Sequence, residues 1–168
     1  RQRQMCIRDS LLSSLGLSVV VIEKNEGVSP TARAINTDSE QLRTFNFLNI
    51  ASKVISNSRT VCRVHFTDSE FNPYSTINVP KEDILGWPPT LLFYQPELET
   101  IIRTNNRKFK KLKILENTEL LNVENTNPIR LNIRNCRDYS SIYCKYLIGC
   151  DGANSFVRKH IKARLIDF

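Results

Sequence analysis

At 168 residues, with 40% hydrophobic and 24% charged residues, the chain has the size and composition of about one globular domain and can bury a sizeable core. No stretch approaches the ~18 consecutive apolar residues of a membrane span, and the N-terminus, with Arg1 and Arg3, lacks the apolar region of a signal peptide. The five cysteines (Cys6, Cys62, Cys136, Cys144 and Cys150) are odd in number, scattered and without a C-x-x-C, which argues against a disulfide framework or a zinc site and for reduced thiols in a cytoplasmic protein.

The net charge of +7 suits any polyanionic ligand. The densest basic run, Arg103 to Lys113, reads as a solvated helix end with cations near its negative pole. No aromatic platform is interleaved with it, so nucleic acid is not expected as a partner. His65 and His160 are far apart in sequence, and metal chemistry has little support.

In chain order, Arg1 to Ser10 does not fit the rest of the chain and is expected to be non-native, with residues 11–168 forming the domain. Leu11 to Gly16 reads as the last turns of a helix stopped by Gly16. Leu17 to Ile22 is a β-branched run, hence a buried strand, closed by Glu23. Helix, Gly, strand and Glu together make the second half of a βαβ dinucleotide unit. Asp38 to Leu48 reads as a helix with Leu42, Phe45 and Leu48 on one face and Asp38 or Thr37 as cap. Ala51 to Ile55 is a second short helical piece. Val61 to Phe66 alternates as a half-buried strand does, Asn72-Pro73 is a turn, and Thr76 to Val79 a short strand. Trp87-Pro88-Pro89 is extended.

Leu91 to Tyr94 leads into a helix with Pro96 at its first position and Leu98, Ile101 and Ile102 as an apolar stripe. Lys113 to Leu115, Glu119 to Val123 and Ile129 to Ile133 are short strands. Ser141 to Ile148 is expected to be the strand that leads to Asp151, with Tyr146-Leu147-Ile148 as its interior. Gly152 to His160 starts the next helix, and no closing element is seen over Lys162 to Phe168.

Four constellations carry chemistry. Val19-Val20-Val21-Ile22-Glu23-Lys24 places a carboxylate at a strand end, where it can accept from ribose hydroxyls. Ala32-Arg33-Ala34 offers a guanidinium fork suited to phosphate. Gln95-Pro96-Glu97-Leu98-Glu99 puts an amide, both donor and acceptor, at a helix start; alternatively it is only an ordinary first turn, with Glu97 and Glu99 favoured by the helix dipole. Gly149-Cys150-Asp151-Gly152-Ala153-Asn154-Ser155-Phe156-Val157-Arg158 reads as a strand, a tight turn that needs Gly152, and a helix start with Ser155 and Arg158 on one face. In α/β proteins the crevice at such a strand end is where nucleotides bind.

The last stretch resembles the Asp-Gly fingerprint of the class A FAD-dependent aromatic monooxygenases. The order Glu23, Arg33, Gln95, Asp151 follows the pattern of the hydroxyphenylpropionate and phenol hydroxylase group. The resemblance implies an α/β, Rossmann-like FAD-binding domain (three-layer ββα), truncated at both ends, with a β-rich insertion at residues 61–89 that begins the substrate domain. It implies FAD as cofactor, NAD(P)H as co-substrate, and O₂ and a small phenolic substrate as reaction partners. The flavin would carry the oxygen transfer, so no protein nucleophile is expected. By the same resemblance Glu23, Lys24, Arg33, Gln95, Asp151, Gly152, Ser155 and Arg158 would serve the cofactors.

The family's glycine-rich phosphate loop would fall at Arg1 to Met5, where the chain has no glycine. A later Gly-Asp motif would lie past Phe168. This polypeptide is therefore expected to bind FAD weakly or not at all and to be inactive alone. Alternatives are a ubiquinone-biosynthesis-type hydroxylase, epoxidase or halogenase of the same superfamily, or a non-catalytic Rossmann-like remnant.

Overall fold

A computed structural model describes residues 2–164 and 166, and side chains from residue 7 onward. The expectations for Cys6 and for the last residues of the chain fall wholly or partly outside these. The chain divides into two units, residues 1–27 with 109–168 and residues 28–108.

In the first unit, α1 (Gln2–Ser14) ends where Gly16 takes φ +83°, a left-handed conformation that favours glycine. The helix runs back through the decapeptide that looked foreign, and Ile7, Asp9 and Ser10 on it are buried. β1 (Val19–Ile22) comes next and pairs in parallel with β7 (Leu112–Leu115), Val19 opposite Leu112 and Ile22 opposite Leu115. A parallel pair requires a long crossover, and here the whole second unit lies between the two strands in sequence.

β8 (Thr118–Glu124), β9 (Ile129–Asn135) and β10 (Asp138–Cys144) form an antiparallel meander in the order β10-β9-β8. Its alternation sends Val123, Leu131 and Ile133 to one face, where Ile22, Leu115, Ile142 and Leu147 pack on them. Each fully buried aliphatic side chain of this kind stabilises by roughly 1.5–3 kcal/mol. α5 (Phe156–His160) closes the described part of the unit.

The strand expected up to Ile148 stops at Cys144. Tyr146 is 75% and Ile148 53% exposed, and only Leu147 turns into the core. An apolar run becomes a buried strand only where a neighbouring strand shares its ladder, and among the described residues none pairs with 145–150.

In the second unit, β2 (Asn36–Asp38), β6 (Thr90–Phe93) and β3 (Ser58–Thr60) make an antiparallel sheet with β6 in the centre. Asp38 caps α2 (Ser39–Phe47) by accepting from the Gln41 N–H at 2.8 Å, and α3 (Ala51–Ser56) comes after it. α4 (Gln95–Asn106) starts with Pro96 in its first turn, where a missing N–H costs nothing. Leu42, Phe45, Val54, Leu91, Leu98 and Ile102 are among the buried side chains of these elements. Asn105 Nδ2 on α4 donates to the Leu48 carbonyl just after α2, at 3.3 Å.

β4 (Arg63–Thr67) and β5 (Pro73–Asn78) form a hairpin with a register shift at Phe66/Thr67. The alternation of Val61 to Phe66 suggested a half-buried strand. The hairpin is exposed on both faces, Val64, Phe66 and Ile77 included.

Candidate functional site

The Asp151 segment is a self-bonded loop. Asp151 Oδ1 accepts from the Ser155 hydroxyl, and Oδ2 accepts from the Val157 N–H at 3.1 Å. Ser155 Oγ accepts in turn from the Arg158 N–H at 2.9 Å, which makes Ser155, rather than Asp151, the cap of α5. The Arg158 guanidinium folds back onto the Ala153 carbonyl at 2.6 Å. Gly152 takes φ +80° and its carbonyl accepts from the Ser155 N–H at 3.0 Å. Partial burial pushes the Asp151 carboxyl up, but the Ser155 hydroxyl and the N–H groups of Val157 and Phe156 outweigh it and hold the group below the usual carboxylate value. The loop is thus a rigid turn with a fixed negative charge.

Two features of this loop carry no sequence motif. Gly149 lies so close to α5 that a Cβ on it would meet Val157. Arg8, on α1, directs its guanidinium to Cys150 Sγ.

Glu23 stands at the C-terminal end of β1. Its backbone continues the ladder, N–H to the Leu115 carbonyl and carbonyl from the Thr118 N–H, both at 2.9 Å. Its Oε1 accepts from the Asn25 N–H at 2.8 Å and Nδ2 at 3.2 Å. No donor among the described residues reaches Oε2, and Lys24 beside it is exposed. Neither residue is hydrogen-bonded to the Asp151 loop.

In the second unit the structure joins Arg33 to Gln95. The N–H groups of Arg33 and Ala34 both donate to Gln95 Oε1, at 2.7 and 2.9 Å, and Gln95 Nε2 donates to Glu99 Oε1 at 2.7 Å. The Gln95 side chain is spent on the protein itself and is only 4% exposed. The Arg33 side chain is exposed, and among the described residues no acceptor meets its guanidinium. The role of Glu99 was missed in the sequence, where it read as a dipole-favoured carboxylate. The available signal was its spacing of four from Gln95, which stacks the two on one helix face.

A carboxylate oxygen open at a strand end and an unpaired guanidinium are groups that hold ribose hydroxyls and phosphates. A family model described as "FAD binding domain" matches residues 8–168. The chain belongs to this FAD binding domain family.

Among curated relatives, a "Probable NADH-specific resorcinol 4-hydroxylase" of Rhodococcus jostii (strain RHA1) is 26% identical over 95% of this chain and 31% of that protein. A 3-(3-hydroxy-phenyl)propionate/3-hydroxycinnamic acid hydroxylase of Shigella sonnei (strain Ss046) is 26% identical over 88% of this chain and 27% of its own length. The chain thus spans under a third of the length of these relatives. Among solved structures, p-nitrophenol 4-monooxygenase PnpA from Pseudomonas putida DLL-E4 superposes with a TM-score of 0.84 at 19% identity, over 93% of this chain and 40% of that one. The flavin-dependent monooxygenase PieE, in complex with FAD and substrate, superposes with a TM-score of 0.81 at 18% identity, over 94% of this chain and 30% of its own. These likenesses establish the α/β fold of a flavin monooxygenase FAD domain.

Proposed function

We propose that this FAD binding domain serves an NAD(P)H-dependent monooxygenase that hydroxylates a small phenolic substrate with O₂. What supports the reaction class is the pair of curated relatives, one named for resorcinol and one for hydroxyphenylpropionate. What supports the cofactor site, and carries the reading, is the Arg33 arm: a backbone clamped by Gln95 and a guanidinium left for a phosphate. Glu23 would accept from ribose hydroxyls through Oε2, beside the exposed Lys24. The Asp151 loop, with Gly152, Ser155 and Arg158, would set the turn at the crevice rather than reach far into it, because its polar groups are bonded to one another.

FAD, when bound, supplies the redox and oxygen-transfer chemistry. The protein's part is to grip the adenosine diphosphate half and fix the orientation of the ring system. The free cysteines among the described residues, Cys62, Cys136, Cys144 and Cys150, suit a reducing, cytoplasmic setting, and no described helix is long and apolar enough to cross a membrane.

Fluorescence titration with FAD and with riboflavin tests the site. FAD is expected to bind tighter than riboflavin, which lacks phosphate and adenosine. Arg33→Ala or Glu23→Ala should weaken FAD by roughly tenfold, the worth of one hydrogen bond to a charged group, and leave riboflavin unchanged. Equal affinity for the two flavins, or an Arg33→Ala chain that binds FAD as the parent does, overturns the reading.

A further inference from the structure

Gln95 begins α4 with its amide buried and all of its described bonds made to the protein. Its oxygen faces two N–H donors, those of Arg33 and Ala34. Its nitrogen faces the Glu99 carboxyl. Rotating the amide by half a turn would set its NH₂ against two N–H groups and its carbonyl against a carboxyl, losing three hydrogen bonds together. The orientation is therefore fixed, and the acceptor that fixes the nitrogen end is Glu99.

Packing does not account for Glu99. The side chain is 0% exposed in the middle of α4, and Oε2 has no hydrogen-bond partner among the described residues. A buried polar atom left without a partner costs about 1–3 kcal/mol, and an apolar side chain of similar volume would avoid that cost. A costly group that survives at such a position is explained by what it holds.

We propose that Glu99 is a positioning residue for the cofactor arm: through the Gln95 amide it holds the Arg33–Ala34 backbone, and so sets where the Arg33 guanidinium meets the FAD phosphates. The carboxyl orients the amide, the amide oxygen clamps two successive N–H groups, and the clamp removes the backbone freedom that would otherwise let the arginine swing. Pre-organisation of this kind raises affinity by lowering the ordering cost on binding. The inference rests on the phosphate role proposed for Arg33.

The test uses the whole ¹⁵N-labelled chain and amide hydrogen exchange at Arg33 and Ala34. Both amides should be protected in the parent, because opening them breaks the clamp. Glu99→Leu removes the acceptor and should speed exchange at both by roughly tenfold, the worth of about one hydrogen bond. Amides of the β8–β9 ladder should be unaffected. Glu99→Gln keeps an acceptor oxygen for Gln95 Nε2 and should restore protection at both amides and the Gln95 side-chain amide resonance of the parent. Gln95→Met removes the clamp with Glu99 intact and should loosen the same two amides; it decides the matter if the Glu99→Leu chain does not fold.

Unchanged protection at Arg33 and Ala34 in the folded Glu99→Leu chain, or in Gln95→Met, overturns the proposal, as does a Glu99→Gln chain as loose as Glu99→Leu. FAD titration of the same variants separates this inference from the reading beneath it. Loosened amides with unchanged FAD affinity would remove the phosphate role of Arg33 while leaving the clamp in place.

Discussion

Replacing Gly149 by alanine would put a methyl group where Val157 already stands. An ideal Cβ at 149 lies 2.7 Å from Val157 Cβ and 2.8 Å from its Cγ1, with Asp151 Oδ1 at 3.4 Å. Carbon atoms settle at ~3.5–4.0 Å, so the two must part by about 1 Å. A rotamer change relieves only the Cγ1 contact, since both Cβ atoms are fixed to backbone. Either the start of α5 or the 149–151 backbone has to shift, and both shifts stretch the Val157 N–H to Asp151 Oδ2 bond, now 3.1 Å.

Overpacking costs about 1–3 kcal/mol, and a hydrogen bond to a charged group is worth about 1.5–3 kcal/mol when lost whole. A partial loss of the second on top of the first gives an expected destabilisation of about 2–4 kcal/mol for Gly149→Ala. Urea unfolding followed by far-UV circular dichroism should show a lower midpoint with an unchanged slope. Gly16→Ala is the contrast. Gly16, unlike Gly149, has a positive φ, but nothing lies within 4 Å of a Cβ there, so only the left-handed backbone penalty of roughly 1–2 kcal/mol applies. A Gly149→Ala chain within about 0.5 kcal/mol of the parent, the range of inconsequential surface changes, would refute the steric argument.

Two aspartates should bend the pH dependence of stability in opposite directions. Asp9 is 6% exposed, and burial pushes its carboxyl up to about 6 against the pull of Arg8. Its folded value is raised, so the stability it contributes is complete below about pH 4 and is lost as the pH climbs to 6. Asp9→Asn should flatten that stretch of a melting-temperature series and leave the chain about 1–3 kcal/mol more stable at pH 7; a parent curve flat from pH 4 to 6 would count against it. The Asp151 carboxyl is lowered, so its contribution is present above about pH 4 and is lost on further acidification. Asp151→Asn should start less stable at neutral pH and show a shallower acid limb than the parent; an identical acid limb would show that the loop does not depend on this charge.

What the sequence revealed was what is local. The strand before Glu23, the Asp38 cap, the Leu42 and Phe45 face, and Pro96 in the first turn of its helix appear as read, although the strand covers only Val19–Ile22 and Leu17 and Val20, expected to be buried, are exposed. Each depends on near neighbours in the chain. The misreadings lie where a distant partner decides. Tyr146 and Ile148 carry a strand's composition but, among the described residues, have no strand beside them, and Val61 to Phe66 alternates with no described layer to cover either face. The clamp on Arg33 joins residues 62 apart, and nothing in Gln95-Pro96-Glu97-Leu98-Glu99 indicates that its amide turns toward Arg33 and Ala34. The residues expected to meet FAD were named from the sequence by type alone. Which of them are spent on internal bonds, as Gln95 and Asp151 are, was not legible there.

The pairing of Val19 with Leu112 also sets an order of events during synthesis. Residues 28–108 form a unit that is continuous in the chain, whereas its companion is assembled from both sides of it. At ~5–20 residues per second, the strand at Val19–Ile22 waits on the order of ten seconds after emergence before β7 exists to receive it. Throughout that interval an apolar, β-branched segment stands without its partner strand. Slowing translation between residues 28 and 112 should therefore raise the insoluble fraction of newly made chains.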